Sequence, residues 1–254
     1  MTSEPDKAML GRALFNAPQL LGGQAERAGL SCASCHSNGR RSAHFYLAGV
    51  SSEPGTADVS SSFFSITRAN GRFDPRPIPD LATPVKVSRD PTGRALETFL
   101  RGLIVEEFAG PEPGAVRLDA LASYVRSVRA CPDRTSEPRT MAAELALARD
   151  MLKSAARSGD IDQETALLLV AAARHRLGLV YERLADPALA RQRAMLLDAS
   201  RQLRGFGEAG RLDSRSLDEW TEGFERHVVP RLVGGQNRSL YAPDRVAAWL
   251  QRPR

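Results

Sequence analysis

Cysteine is scarce in this chain of 254 residues: there are three, too few for the disulfide framework of a small secreted scaffold. A chain of this length buries a core without such staples. Long apolar runs are missing too, the longest spanning about residues 166–173, well short of the roughly 20 residues that cross a bilayer as a helix. Lysine is nearly absent, Lys7, Lys86 and Lys153 being the only ones, so 32 of the 35 basic residues are arginine. That bias reflects genome composition more plausibly than polyanion binding. The net charge of +5 divides into +2 over residues 1–130 and +3 over 131–254, which leaves no basic tail, and nucleic acid is not an expected partner. With 42% hydrophobic and 26% charged residues the chain holds one sizeable core or two small ones, and disorder and collagen are excluded.

Two of the three cysteines stand in Cys32-Ala33-Ser34-Cys35-His36. In the Cys-x-x-Cys-His pattern both thiols add across the vinyl groups of a haem, and the adjacent histidine becomes the proximal ligand of the iron. Two intervening residues let one turn of chain bridge the two thioether positions. A thioredoxin-like redox pair would need a βαβ setting, unlike the surrounding Gly22-Gly23 and Ser37-Asn38-Gly39 segments. A zinc site would use Cys32, Cys35, His44 and a fourth ligand, yet no second Cys/His pair follows at ribbon or finger spacing.

The flanks carry helical signals. Ser3 precedes Glu4 and Asp6, acids suited to a first turn, and Ala8, Met9, Ala13, Leu14 and Phe15 recur at helical spacing, which predicts a helix over about 4–16. Gly11 and Phe15 lie one turn apart on one face of it. A second amphipathic helix is expected over about 117–130, with Asp119 in its first turn and Leu118, Leu121, Ala122, Tyr124, Val125 and Val128 on its apolar face. A leading helix with Gly-x-x-x-Phe, a Cys-x-x-Cys-His loop and a closing Leu-Ala-Ser-Tyr-Val helix resemble a class I cytochrome c domain. More narrowly, Leu10-Gly11-Arg12-Ala13-Leu14-Phe15 and Leu30-Ser31-Cys32-Ala33-Ser34-Cys35-His36 are similar to the opening of a domain in the di-haem cytochrome c peroxidase family. The resemblance covers roughly residues 3–130 and implies one covalent haem c. It departs from that family in having one attachment motif instead of two, and in having no Met or His between residues 45 and 130 to serve as distal ligand.

His44, flanked by Phe45 and Tyr46, is therefore the expected sixth ligand beside His36, with an open iron face as the alternative. Residues 45–93 read as irregular chain wrapping the cofactor, with Phe63, Phe64 and Ile66 as an apolar cluster. Phe45, Phe63 and Phe64 are expected to wall the haem, and Arg68 and Arg72 to meet its propionates, with Arg76 in a similar place. A helix is predicted over 94–108, burying Ala95, Leu96, Phe99, Leu100, Leu103 and Ile104. It ends at Glu106 and Glu107, one of which could serve peroxide cleavage beside an open iron.

The polar stretch after Cys131-Pro132 marks the boundary, giving a haem domain over 1–132 and a helical domain over 133–254. In the second, Pro138 is expected to open a helix to about 157, Asp160 to cap one to about 184, Asp186-Pro187 to open a third closed by Gly205, and Asp213 or Ser214 a fourth stopping near Val229-Pro230. A last helix fits 242–250. Short connections between helices of this length imply an antiparallel bundle, and the fold class is all-α. His175 and His227 read as bundle residues, and Cys131 as a lone thiol.

A redox partner protein or a larger complex is the expected partner, with one-electron transfer as the function and a peroxidase-like enzyme or a haem-containing interaction or sensor protein as alternatives. Haem attachment of this type implies the periplasm. Residues 1–6 contain neither a charged n-region nor an apolar h-region, so a leader ahead of this sequence is the expectation.

Overall fold

The computed structural model describes residues 3–83, 87–129, 139–159, 162–208 and 211–251. Among the described residues the fold is helical apart from one two-stranded sheet, and the chain divides into two compact units, Met1–Asp133 and Arg134–Arg254.

The first unit opens with α1 (Glu4–Phe15), capped by the Ser3 hydroxyl, which accepts from the Asp6 N–H. Three short helices follow, α2 (Pro18–Leu21), α3 (Gly23–Arg27) and α4 (Cys32–Cys35). Among the described residues of 45–93 there is no helix, as expected. They do contain β1 (Thr56–Ala57) and β2 (Arg76–Pro77), paired antiparallel with Thr56 opposite Pro77 and Ala57 opposite Arg76. Ile66 is not part of an apolar cluster: it is 88% exposed, while Phe64 is buried edge-on against Phe108 at 5.0 Å.

The helix expected over 94–108 divides in two. After α5 (Ala95–Gly102) the chain widens into a π-helical stretch, Leu103–Glu107. The wider turn buries Ile104 and ends on Phe108, whose N–H donates to the Leu103 carbonyl at 3.1 Å. Phe99, predicted inside, is exposed, and Glu97 is buried instead because the Arg126 Nη2 donates to both its carboxylate oxygens at 3.0 and 3.2 Å. The closing helix, α6 (Gly114–Ser127), starts three residues earlier than expected, which moves Asp119 out of the first turn. Its inner face packs on α1.

In the second unit α7 (Met141–Ser158) is capped by Thr140 and α8 (Gln163–Arg183) by Asp162. The expected openers Pro138 and Asp160 lie outside the described residues, as do Lys86 and Cys131. Asp186 caps a 3-10 turn leading into α9 (Ala190–Glu208). That helix runs through Gly205 instead of stopping there, since one interior glycine costs only about 1 kcal/mol. Asp213 caps α10 (Ser214–His227), and Pro230 sits in the first turn of α11 (Val229–Val233), where a proline needs no N–H partner. The chain ends in the exposed helix α12 (Pro243–Leu250).

Contacts fix the directions. Glu144, early in α7, pairs with Arg176, late in α8; Arg174 of α8 donates to the Ser200 carbonyl of α9, and Arg193 to the Tyr181 hydroxyl. Arg149 of α7 meets Glu225 near the end of α10. Neighbouring helices thus run antiparallel, with α8 central between α7 and α9, burying Leu169, Val170, Leu177 and Val180.

Candidate functional site

The Cys-x-x-Cys-His segment forms a single helical turn. Ser31, its N-cap, donates its N–H to the Ser34 hydroxyl at 3.0 Å, while the Ser34 N–H reaches the Ser31 carbonyl at 2.9 Å. At the other end the His36 N–H donates to the Cys32 carbonyl at 2.9 Å, so the histidine closes the turn. Asn38 and Gly39 then adopt successive left-handed conformations, φ 52° and 74°. Gly39 cannot carry a side chain here, because a Cβ would sit 2.5 Å from Val128 Cγ2 at the end of α6. The Ser42 N–H returns to the Cys35 carbonyl at 3.0 Å. Hydrogen bonds between residues close in sequence therefore define the conformation of the three motif residues.

Packing then orients the histidine. Phe15 of α1 stands edge-on to Tyr124 of α6, with ring centroids 5.1 Å apart, and approaches the His36 ring at 6.3 Å. The α1–α6 contact is thereby transmitted to the imidazole. Burial holds the ring neutral, pushing its pKa down to about 4, while the Pro79 carbonyl and the Asp80 carboxylate act in the opposite sense. Its Nδ1 is buried without a hydrogen-bond partner. Both thiols are free, and burial pushes Cys32 and Cys35 up to about 12. Thiols held so firmly protonated lack the thiolate character of a thioredoxin-like nucleophile.

The proline-rich loop through Pro75, Pro77 and Pro79, expected to stiffen one wall of the site, lies beside this ring. Asp80 receives Arg40 Nε on both oxygens at 2.7 Å, Arg40 Nη2 on Oδ2 at 2.7 Å, and the Ala82 N–H on Oδ1 at 2.8 Å. Arg40 depresses the Asp80 pKa, so the carboxylate stays ionised. Arg89 ties the same loop to α6, donating to the Leu81 carbonyl and, at 3.3 Å, to the Val125 carbonyl. The proline-rich character of residues 75–79 was the one available signal for this wall.

No protein family, curated protein or solved structure matches the chain.

The other expected residues are more dispersed. Phe45 and Phe64 are buried and Phe63 is half-buried, stacked edge-on against Phe64 at 5.0 Å. His44 is exposed on a turn two residues beyond the Ser42–Cys35 tether. Arg68 is engaged by Glu106 across an exposed ion pair, and Arg72 is exposed with its backbone N–H on the Asn70 side chain. Burial raises the Glu107 pKa, opposed by Arg68. Within the second unit His227 is exposed, whereas His175 is half-buried, its pKa lowered by burial and by Arg176. Met141 and Met151 are fully buried in the core of that unit.

Among the described residues no group of three or more His, Cys, Asp or Glu side chains converges as a metal cage does. Nor is any helix among the described residues long and apolar enough to cross a membrane.

Proposed function

We propose that this chain is a c-type haem redox protein whose first unit, a cytochrome c-like domain, holds one haem covalently through Cys32 and Cys35 with His36 as axial ligand. Its function is one-electron transfer, as a carrier or as a subunit of a larger assembly, in the periplasm. One observation carries this reading: a single capped turn presents two free, half-buried thiols and, at its end, a half-buried imidazole whose pKa desolvation lowers. Metal ligation requires the neutral form of histidine. The donor set also fits a flat group better than a bare ion. Tetrahedral zinc needs four donors aimed at one point, whereas thioether attachment needs sulfurs at a ring edge and only the imidazole at the metal. The His36 ring also lies against the Pro79 carbonyl, the kind of acceptor to which a ligating histidine passes its second ring N–H.

When bound, haem supplies the one-electron couple. The protein's residues do the rest. Cys32 and Cys35 fix the group to α4, Phe15 and Tyr124 hold the His36 ring in place, and burial keeps that ring unprotonated. Phe45, Phe63 and Phe64 are proposed to wall the group, and Arg68 and Arg72 to reach its acidic edge once Arg68 exchanges its partner Glu106. His44 is the proposed second ligand, which requires its exposed turn to close inward.

A peroxidase-like enzyme is the second reading, and the exposure of His44 favours it. With His44 left on its turn, no other Met or His of residues 45–130 exists to fill the sixth position. Separating the two takes one optical spectrum of the oxidised and reduced protein, with and without cyanide. A low-spin spectrum unmoved by cyanide supports the carrier, and a high-spin, cyanide-binding one supports the enzyme.

A further inference from the structure

We propose that α12 is a peripheral membrane anchor, whose Val246, Trp249 and Leu250 settle into the headgroup boundary of an anionic lipid surface while Arg245 and the following Arg252 and Arg254 supply the charge attraction. The inference concerns the second unit alone and is independent of the haem reading.

The base of α12 is fixed. Leu240 donates its N–H to the carbonyl of Arg183, the last residue of α8, at 2.9 Å, and Ser239 beside it is buried. The Arg183 guanidinium lies over the Tyr241 ring, 4.8 Å from its centre. Pro243 then opens the helix with its preset φ. Beyond that point the support ends. None of the eight residues Pro243–Leu250 is buried, and Ala242, the N-cap, gives no side-chain hydrogen bond. An isolated helix shorter than about 12 residues is marginal in water, so residues 239–241 hold out a helix that gains its stability from a surface laid against it.

The uncovered apolar residues share one face. Val246, Trp249 and Leu250 follow at spacings of three and four residues and are 36%, 50% and 70% exposed. Arg245 stands one turn ahead of Trp249, at the edge of this stripe, where an aliphatic stem can lie along apolar surface while the guanidinium reaches outward. Its contact with the neighbouring Asp244, 3.9 Å between Nε and Oδ2, is long and well exposed and is readily exchanged for another anion. From residue 242 onward the sequence holds three arginines, at 245, 252 and 254, against one acid, Asp244.

Charge and area select the occupant. A second copy would bring the same cations against these. Three side chains also fall far short of the roughly 800 Å² per partner that a stable dimer buries, since even a wholly covered Trp contributes at most about 250 Å². A lipid surface imposes neither condition. A short helix with arginine at the border of its apolar face and tryptophan within it lies in the plane of an interface, Trp being favoured at headgroup depth. Each cation near an anionic surface then strengthens binding about fivefold.

The test is co-sedimentation of the full-length protein with vesicles of phosphatidylcholine alone, or of phosphatidylcholine and phosphatidylglycerol in equal parts. The wild type is expected to pellet with the anionic vesicles and to stay in solution with the neutral ones. Trp249→Ser/Leu250→Ser, at exposed positions, should keep the wild-type circular dichroism and lose the binding. Arg245→Gln should weaken binding about fivefold, and high salt should weaken that of the wild type. A wild type that stays in solution with both vesicles or pellets equally with both, or a double variant that pellets like the wild type, overturns the inference. Binding to polyglutamate as tight as to the anionic vesicles also overturns it and assigns the face to an acidic protein. A dimer in analytical ultracentrifugation that the double variant abolishes does the same in favour of a second copy.

Discussion

Gly11 of α1 lies so close to the Ala120 carbonyl of α6 that a Cβ built on it would sit 1.9 Å from that oxygen. The same Cβ would meet the Tyr124 Cβ at 2.8 Å. The two helices cross with backbone nearly touching, and the ring contacts from Tyr124 through Phe15 to His36 start from this crossing.

Even the smallest side chain at position 11 must therefore force the helices apart. Gly11→Ala is expected to destabilise the first unit by about 1–3 kcal/mol, the usual cost of overpacking, or more, since the obstacle is backbone. Chemical denaturation followed by far-UV circular dichroism measures it. An unchanged unfolding midpoint would mean that α1 and α6 do not cross at Gly11.

In the second unit the ion pair between Glu144 Oε2 and Arg176 Nη1, 3.1 Å long, is almost wholly buried. Glu144 also meets Arg139 Nη1 at 3.3 Å, so removing Glu144 takes its carboxylate from the buried Arg176 guanidinium. Glu144→Leu should cost about 3–5 kcal/mol, and the double variant Glu144→Leu/Arg176→Met distinctly less. Urea unfolding of the three proteins checks this, and additive losses would contradict a coupled pair.

Asp213 caps α10 and accepts from the Ser216 hydroxyl at 2.7 Å and from the Arg215 and Ser216 N–H groups. The Ser216 hydroxyl and N–H hold its pKa below the ordinary carboxylate value of 3.8. A lowered folded pKa means that the carboxylate's contribution is complete above the unfolded value and disappears as pH falls through the folded one. Melting temperatures of wild type and Asp213→Asn, compared from pH 7 to pH 2, should converge at the acid end. A difference independent of pH would show that the charge of Asp213 plays no part.

Much of the helical framework was legible because its signals are local. Ser3, Asp186 and Asp213 announce helix starts through the hydrogen bonds their own side chains make two or three residues on, and the Gly11/Phe15 spacing announced a close helix contact. The site was legible only where it too is local, in the five residues from Cys32 to His36. Arg40–Asp80 and Glu97–Arg126 span 40 and 29 residues, and among 32 arginines no sequence rule selects the one that finds a given carboxylate. The π-helical turn at Leu103–Glu107 was hidden for another reason. Its residues keep helical composition, and the wider turn shows only in the structure, where Ile104 is buried and Phe108 meets Phe64.

The role of His44 has its own experiment. His44→Ala should convert a low-spin spectrum into a high-spin one that binds cyanide, because two imidazole ligands hold the iron low-spin and the loss of one opens a position. An identical spectrum in the variant would move the assignment to the peroxidase-like reading.

The central claim, a haem bound through Cys32 and Cys35, is tested most directly by the mass of the denatured chain after expression alongside a c-type haem maturation system. The wild-type chain should carry the added mass of one haem through acid-acetone extraction, and the Cys32→Ser/Cys35→Ser variant should carry none. A wild-type chain at its bare polypeptide mass, its haem released into the acetone or never acquired, would contradict the account.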